Sequence, residues 1–509
     1  MVKQREADVV IIGAGITGTT IARELSRYKV DAVVVEKGGG EGIQAQTKAS
    51  GGMVYTGFAM LMSFVLKSIM APDAPLYDPD SQKTKWLEQG FDMASQRFEE
   101  LDVRHRKLVT LTPALNKEEV KILESLVKTA ESIGVRYATP RWADRRTCLE
   151  MEPHLTKDVV AGLYSEGDMM QVSPYELAIA QAENARQNGI RFMSSAEVTG
   201  VLQKNGYQIV ETSQGPIKTR FVVNAAGMLA DVVADMGGAR DWDLTFARNL
   251  IIVTDRRAGG LFHTFLSRPP VPGKAPIGVP TLDGNLMLSP GVYSIPRDRY
   301  DMGAYPGEAM QNLLVAKRYI PELSEKDVIH TFVGMRVFNA RDPEENIIEP
   351  CSTNPRFINV AVRLPGIASS LPIARYVVGL LGDAGLELTT KSDFNPFREA
   401  IPRFRELSES ERSSLINKDS RYGHVVCRCE TITEGEIVEA IKRGARTVAG
   451  VKYMTRAGMG RCQGGFCGPR VVNILARELN IPATQIMDSG SGSPVVPFVN
   501  KGLLRVSNL

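Results

Sequence analysis

The residues that could carry redox or metal chemistry are concentrated at the two ends of the chain. Near the C-terminus, Cys427-Arg428-Cys429 is followed by Cys462-Gln463-Gly464-Gly465-Phe466-Cys467. Four thiolates can close a tetrahedral zinc site or hold an iron–sulfur cluster. A Cys-x-Cys pair is short for zinc, whose paired ligands are usually separated by about two to four residues. Near the N-terminus, Val9-Val10-Ile11-Ile12-Gly13-Ala14-Gly15-Ile16-Thr17-Gly18 leads through a helical segment to Val33-Val34-Val35-Glu36-Lys37. In such a dinucleotide fingerprint Gly13 permits the tight turn, Gly15 lets backbone approach a pyrophosphate, and Gly18 lets helix and strand pack closely. The helix aims its N–H groups and positive dipole end at the phosphates, and Glu36 stands where an acid meets the ribose hydroxyls. The fingerprint leaves FAD and NAD both open.

The elements that must hold these residues follow from patterning. The chain has 509 residues, enough for several domains, and a net charge of +3, which gives no sign of a nucleic-acid binder. Lys3, Arg5 and Glu6 lead straight into the first strand, without a signal-peptide pattern. Cys148 and Cys351 are isolated and read as small buried residues. Clustering of the other four cysteines argues for a metal site over disulfides, and for the cytoplasm. The apolar run from Phe58 to Met70 is too short to span a bilayer. It suits a buried or amphipathic helix, or a surface for a partner or a membrane face.

Helical periodicity covers 81–101 and 116–133. Ser173-Pro174-Tyr175-Glu176 predicts a helix N-terminus, with Ser173 as N-cap and Glu176 closing a capping box, and Thr433-Glu434-Gly435-Glu436 predicts another. Small residues around Gly51 and Gly52 suggest backbone passing close to a flat ligand. Residues 244–300 read as β-rich, Thr331 to Arg336 as a buried strand carrying one arginine, Phe357 to Val362 as a further strand, and Leu371 to Leu381 as a helix. Residues 396–424 are polar and suit a linker.

The segments Cys427-Arg428-Cys429-Glu430-Thr431-Ile432-Thr433-Glu434-Gly435-Glu436 and Arg456-Ala457-Gly458-Met459-Gly460-Arg461-Cys462-Gln463-Gly464-Gly465-Phe466-Cys467-Gly468 resemble the bacterioferritin-associated-ferredoxin-like (BFD-like) [2Fe–2S] domain. More specifically, they resemble the version fused to FAD-dependent dehydrogenases of the anaerobic glycerol-3-phosphate dehydrogenase type. The resemblance extends through the D-amino-acid-oxidase-like superfamily. Thr47-Lys48-Ala49-Ser50-Gly51-Gly52-Met53-Val54-Tyr55 is similar to its flavin-proximal segment, and Pro280 to Leu288 to its substrate-domain hairpin. Asn224-Ala225-Ala226-Gly227 and Leu364-Pro365-Gly366 are similar to its FAD-binding turns.

The resemblance implies an α/β fold: a discontinuous Rossmann-like FAD-binding domain, an inserted β-rich substrate domain, and a small helical C-terminal [2Fe–2S] domain. The expected boundaries are 1–57, 150–235 and 345–395 for the FAD-binding domain, and 58–149 and 236–344 for the substrate domain. A linker is expected at 396–424, the BFD-like domain at 425–488, and a tail at 489–509. It implies FAD held by Gly13, Gly15, Gly18, Glu36, Lys37, Thr47, Ser50, Gly51, Gly52, Ala226, Gly227 and Gly366, and a cluster held by Cys427, Cys429, Cys462 and Cys467. The implied reaction moves a hydride from a small anionic substrate, sn-glycerol 3-phosphate first, to the flavin. A 2-hydroxy acid or an amino or imino acid is the alternative.

Arg336 is the expected anion anchor. Tyr55, His330 and Lys48 are the other catalytic candidates, with His263 a further histidine in the β-rich domain. Where many relatives have histidine after the Gly-x-Val of the flavin-proximal segment, this chain has Tyr55. Where serine often precedes the Pro-Gly turn, it has Leu364, and residues 58–76 match poorly. A cluster that passes one electron at a time implies a redox partner subunit or acceptor protein, an oligomer, and peripheral membrane association through that partner. An electron-transfer subunit that leaves substrate oxidation to a partner is the alternative class.

Overall fold

The computed structural model describes residues 5–40, 45–57, 59, 80–132, 140–270, 276–291, 293–343, 345–363 and 365–498. The apolar segment 58–70, apart from Ala59, and Leu364 lie outside the described residues.

The fingerprint strand Arg5–Ile12 lies at the centre of a sheet built from separate stretches of chain. Ala32–Val35 flanks it in parallel, Ile11 opposite Val34, and Ile217–Asn224 flanks it on the other side, Ile11 opposite Val223. Arg191–Met193 extends one edge in parallel, and Asn354–Ala361 the other, with Val223 opposite Ile358. Val9, Val10, Ile11 and Ile12 are all buried, as a parallel strand covered on both faces requires. One face packs Val9, Ile11 and Val223 against Ile21 and Leu25 of the helix Ile16–Leu25 and against Ile373 and Val377 of the helix Gly366–Asp383. The other face packs Val10, Ile12 and Phe357 under Val201, Val210 and Val233. Each such buried aliphatic side chain contributes about 1.5–3 kcal/mol.

A second sheet of eight strands among the described residues places Val328–Asn339 beside Leu244–Thr254 at one end and runs out to Arg141–Asp144. A three-stranded sheet joins Met53–Tyr55, Met169–Val172 and His105–Lys107. The helices Gln82–Glu100 and Lys117–Ser132 form where periodicity places them, the first capped by Ser81, whose hydroxyl accepts from Thr84 N.

Two local expectations differ. The helix Pro174–Gln187 starts at Pro174, but Ser173 makes no capping bond, and the Glu176 carboxylate pairs with Arg403 and Arg104 in place of closing the box. The predicted helix at Leu371 begins five residues earlier, at Gly366, and runs through Pro372. Pro372 has no N–H for the carbonyl of Ala368. That carbonyl instead faces Gly90, where an added Cβ would lie 1.7 Å from the oxygen.

The stretch 396–424 carries a helix of its own, Glu409–Lys418, and is strapped to the body. Ile401 and Phe404 are buried, and Arg398 pairs with Glu183 at 2.6 Å. The C-terminal module is a two-stranded hairpin, Val425–Cys427 with Ile432–Thr433, and the helices Glu434–Lys442, Val448–Thr455 and Gly468–Leu479. Its own core includes Val426, Ile437, Ile441, Val451, Val472 and Leu475. The capping box forms here, with the Thr433 hydroxyl accepting from Glu436 N and the Glu436 carboxylate accepting from Thr433 N at 2.7 Å. Among the described residues no helix is long and apolar enough to cross a membrane.

Candidate functional site

A cavity of about 470 Å³ opens at the carboxyl ends of the parallel strands. Gly13, with φ +102°, takes the turn after the first strand, and an added Cβ would lie 2.6 Å from Ala225 O. Gly18 lies behind it, where a Cβ would meet Gly13 O at 1.9 Å, so only glycine lets helix and strand approach this closely. The following helix has neither a side-chain cap at Gly15 nor an acid in its first turn, which leaves its positive end to the cavity. Thr47 supports this turn by accepting from Ile16 N at 3.0 Å. The helix Gly366–Asp383 likewise starts at the cavity wall without a side-chain cap or an early acid. Glu36 accepts from Ala14 N at 2.9 Å and from Gly38 N at 2.7 Å, so the acid ties together the two turns it lies between.

Gly13, Gly15, Glu36, Lys37, Thr47, Ser50, Gly51, Ala226, Gly227 and Gly366 all line this cavity. Gly18 and Gly52 do not. Gly52, at φ +75°, hydrogen-bonds through its carbonyl to Val172 N at 2.9 Å, and a Cβ there would lie 1.9 Å from Val172 O. Its role is to bring the flavin-proximal segment against the strand Met169–Val172.

Of the four catalytic candidates, two line the cavity, Arg336 and Tyr55. Arg336 pairs with Ala247 across the sheet and sits on the same face as Asn249. Its Nη1 donates to Met335 O at 3.3 Å, its buried Nε has no partner, and no carboxylate pairs with it among the described residues. Asn249 adds an unpartnered, buried Oδ1. A cradle of glycines joined to orphaned polar atoms fits an elongated cofactor with a small polar substrate beside it.

His330 and Lys48 do not line the cavity. His330 is six residues before Arg336 on the same strand, and at about 3.3 Å per residue that is roughly 20 Å along the sheet. Sequence proximity to Arg336 therefore does not bring its ring to the same place. Its ring lies near Lys452 of the C-terminal module and Lys48. Burial of the ring, with those two charges, lowers its pKa. Lys48 is lowered in turn by burial and by Lys452, against the opposing pull of Asp488. His263 is also off the cavity, with its backbone N donating to Glu152 at 2.9 Å. No histidine lines the cavity among the described residues.

Sequence reasoning missed Asn249 and Arg363. Arg363 lines the cavity, nearly buried, with its guanidinium 5.5 Å from the Phe338 ring centroid. Both carried a signal: each is a polar residue at or inside an apolar strand, as in Arg248-Asn249-Leu250-Ile251 and Val360-Ala361-Val362-Arg363.

The four cysteines fall into two pairs. Cys429 Sγ and Cys462 Sγ are 3.7 Å apart and exposed, while Cys427 and Cys467 are buried and hydrogen-bonded to each other. A metal with bonds of about 2.3 Å sets two tetrahedral thiolates roughly 3.8 Å apart. Among the described residues no three His, Cys, Asp or Glu side chains converge on one metal position. Thiolate pairs of this kind fit the cysteine ligands of an iron–sulfur cluster. The thiol of Cys427 is brought down to about 6 by the bond from Cys467, helped by the N–H groups of Gly458 and Glu430 and opposed by burial. Cys467 caps the helix Gly468–Leu479, which has no acid in its first turn and so presents a positive end to the thiolates. Gly460 lets the loops close: a Cβ there would lie 2.3 Å from Cys429 Cβ.

The module docks through a buried charge network. Glu430 and Asp283 are nearly inaccessible and together bind Arg104, Arg256, Arg405 and Arg456. Tyr175 packs edge-on against Tyr453 at 5.0 Å, and its hydroxyl accepts from Arg456 Nη1 at 3.1 Å and donates to Met459 Sδ at 3.7 Å.

A family model described as FAD dependent oxidoreductase matches residues 8–380, and a model of the BFD-like [2Fe-2S] binding domain matches residues 425–477. The chain is 36% identical to a glycerol 3-phosphate dehydrogenase of Caloramator mitchellensis, over 96% of this chain and 98% of that protein. It is 25% identical to the anaerobic glycerol-3-phosphate dehydrogenase subunit A1 of Haloferax volcanii, covering 93% and 83% of the two chains. Among solved structures it resembles in fold the dithionite-reduced L-alpha-glycerophosphate oxidase of Mycoplasma pneumoniae with FAD bound. That match has a TM-score of 0.68 and 24% identity, covering 78% of this chain and 99% of the other.

Proposed function

The chain belongs to the FAD dependent oxidoreductase family, as a glycerol-3-phosphate dehydrogenase-like enzyme with FAD and a BFD-like [2Fe–2S] domain, and on that premise we propose that it oxidises sn-glycerol 3-phosphate and passes the electrons to a partner. The observation that carries this reading is Arg336: a guanidinium at the cavity wall, without a carboxylate partner among the described residues and with a buried Nε left unsatisfied. An anionic phosphate or carboxylate is the group such a fork takes. Arg363 also lines the cavity. The relatives named for glycerol 3-phosphate support the same choice.

FAD supplies a two-electron hydride acceptor, and the [2Fe–2S] cluster a one-electron relay. In this reading Arg336 anchors the substrate anion and Asn249 accepts a hydrogen bond from a substrate hydroxyl. Tyr55 stands at the flavin-proximal wall, where many relatives have histidine. Met53, Phe265 and Met287 keep water from the reacting carbon. Tyr175 bonds to Met459, whose neighbour Gly458 donates its N–H to Cys427, which ties the body to the cysteines. A relative named as a subunit supports assembly with further chains.

The test is anaerobic bleaching of the flavin in the purified chain. Glycerol 3-phosphate is expected to bleach it at low concentration, with lactate, 2-hydroxyglutarate, glycine and proline ineffective. Bleaching by an amino acid instead would move the enzyme to the other branch of its superfamily. No bleaching by any of them would assign substrate oxidation to a partner.

A further inference from the structure

The two cysteine pairs differ in where they face. Cys427 and Cys467 are buried in the module's core, while Cys429 and Cys462 are exposed. Around the exposed pair the chain sets a compact cationic and aromatic patch. Phe466, next in sequence to Cys467, is 44% exposed. Its ring is 4.8 Å from the Arg428 guanidinium and 4.5 Å from that of Arg470. Arg428 lies between the two hairpin cysteines, and Arg470 on the first turn of the helix that Cys467 caps.

Neither Arg428 nor Arg470 has a carboxylate within ion-pair distance among the described residues. Arg461 nearby pairs with Asp255 at 3.6 Å. The adjacent carboxylate, Glu430, is buried and already bound by Arg256, Arg405 and Arg456, so it does not neutralise the patch. Two exposed arginines without a carboxylate partner, held on an exposed aromatic ring, leave both charge and apolar area open to a complementary surface. Such an aromatic and arginine core with a charged rim is the composition of an interface centre.

The geometry points to Arg428, Phe466 and Arg470 as the docking surface for an acidic one-electron carrier protein, which receives electrons from the Cys429–Cys462 side of the cluster. This rests on the relay reading above. The step is a single electron transfer: the carrier gains one electron, the reduced cluster returns to its oxidised form, and no bond or proton moves. An acidic carrier is favoured over an anionic membrane because the patch surrounds exposed ligand sulfurs, and lipid headgroups bring charge but no acceptor to them.

The experiment uses the holoenzyme and one acceptor in two charge forms: native cytochrome c, rimmed by lysines, and the same protein with its lysines succinylated to carboxylates. Binding of oxidised holoenzyme to each immobilised form is read at low and high salt, with no substrate present, so the outcome does not depend on glycerol 3-phosphate. Photoreduced enzyme then reports the rate of haem reduction. The expected result is at least tenfold tighter binding and faster reduction for the succinylated form, lost at high salt as screening shortens the reach of charge. Arg428→Glu with Arg470→Glu should abolish that preference with the FAD and cluster spectra intact. Arg428→Gln with Arg470→Gln gives the same test if the glutamates disturb the loop. Equal binding of both forms, or a preference that survives the substitutions, overturns the proposal. Salt-sensitive binding to phosphatidylserine vesicles that the substitutions remove, without discrimination between the cytochromes, also overturns it and assigns the patch to lipid.

Discussion

The carboxylate of Asp283, in the turn of a substrate-domain hairpin, takes Arg456 of the cysteine module at 2.7 Å, deep in the contact between the two. Burial pushes the Asp283 carboxyl up, but Arg456, Arg104 and Arg405 outweigh it and hold the group down to about 2. Its ordinary value is 3.8. A depressed carboxyl contributes stability that is fully present above its unfolded pKa and is lost as pH falls through the folded one. Docking of the module should therefore hold above about pH 4 and weaken between there and pH 2. Asp283→Asn leaves three arginines facing Glu430 alone, a loss of roughly 3–5 kcal/mol for a broken buried network. Limited proteolysis between body and module should cut the variant faster at neutral pH, and its pH profile should lose the acid step.

Arg336→Ala should leave FAD bound, because the glycine turns at Gly13, Gly15 and Gly227 that we propose hold it line the cavity without Arg336's help. The rate of flavin reduction at low glycerol 3-phosphate should fall roughly 10- to 150-fold, the value of a charge-assisted hydrogen bond. Arg336→Lys should recover only part of it, since an ammonium lacks the fork. Stopped-flow bleaching against substrate concentration checks this, and an unchanged KM would remove Arg336 from the substrate.

Cys462→Ser should abolish the cluster's visible and paramagnetic signals, because it removes one thiolate of the pair set 3.7 Å apart. Flavin content should stay at the wild-type level, measured by release and absorbance. Loss of flavin from the same variant would make the module a structural support of the FAD site.

Gly90→Ala places a methyl 1.7 Å from the Ala368 carbonyl that Pro372 leaves without its helical partner. Overpacking of this kind costs about 1–3 kcal/mol or more. Gly379→Ala, on the same helix with open space around it, should instead stabilise by roughly 0.4–1 kcal/mol. Thermal melting of the two variants should move in opposite directions.

Much of this was readable from residues. The apolar strands, Gly13, Gly15, Gly18 and Glu36 declared themselves because a parallel strand and a tight turn restrict composition at each position. The cysteines did so because their spacing is uncommon. What escaped the sequence depends on tertiary approach. The box expected at Ser173 does not close, and Glu176 pairs instead with Arg403, from a segment more than two hundred residues away. Pro372 hid the start of a helix whose missing bond is accommodated by Gly90. His330 looked close to Arg336 in sequence, yet strand rise carries it to the module. Asn249 and Arg363 are single polar residues in apolar surroundings, and only the cavity tells them from ordinary strand ends.

One contact sets an order of events. Gly39, three residues beyond Glu36, donates its N–H to Ser489 O at 3.0 Å, with Thr447 packed alongside. The turn after Glu36 therefore gains this contact only once the ribosome has released a segment some 450 residues downstream. A half-made polypeptide thus carries the glycine turn after the first strand but not the contact that pins Gly39.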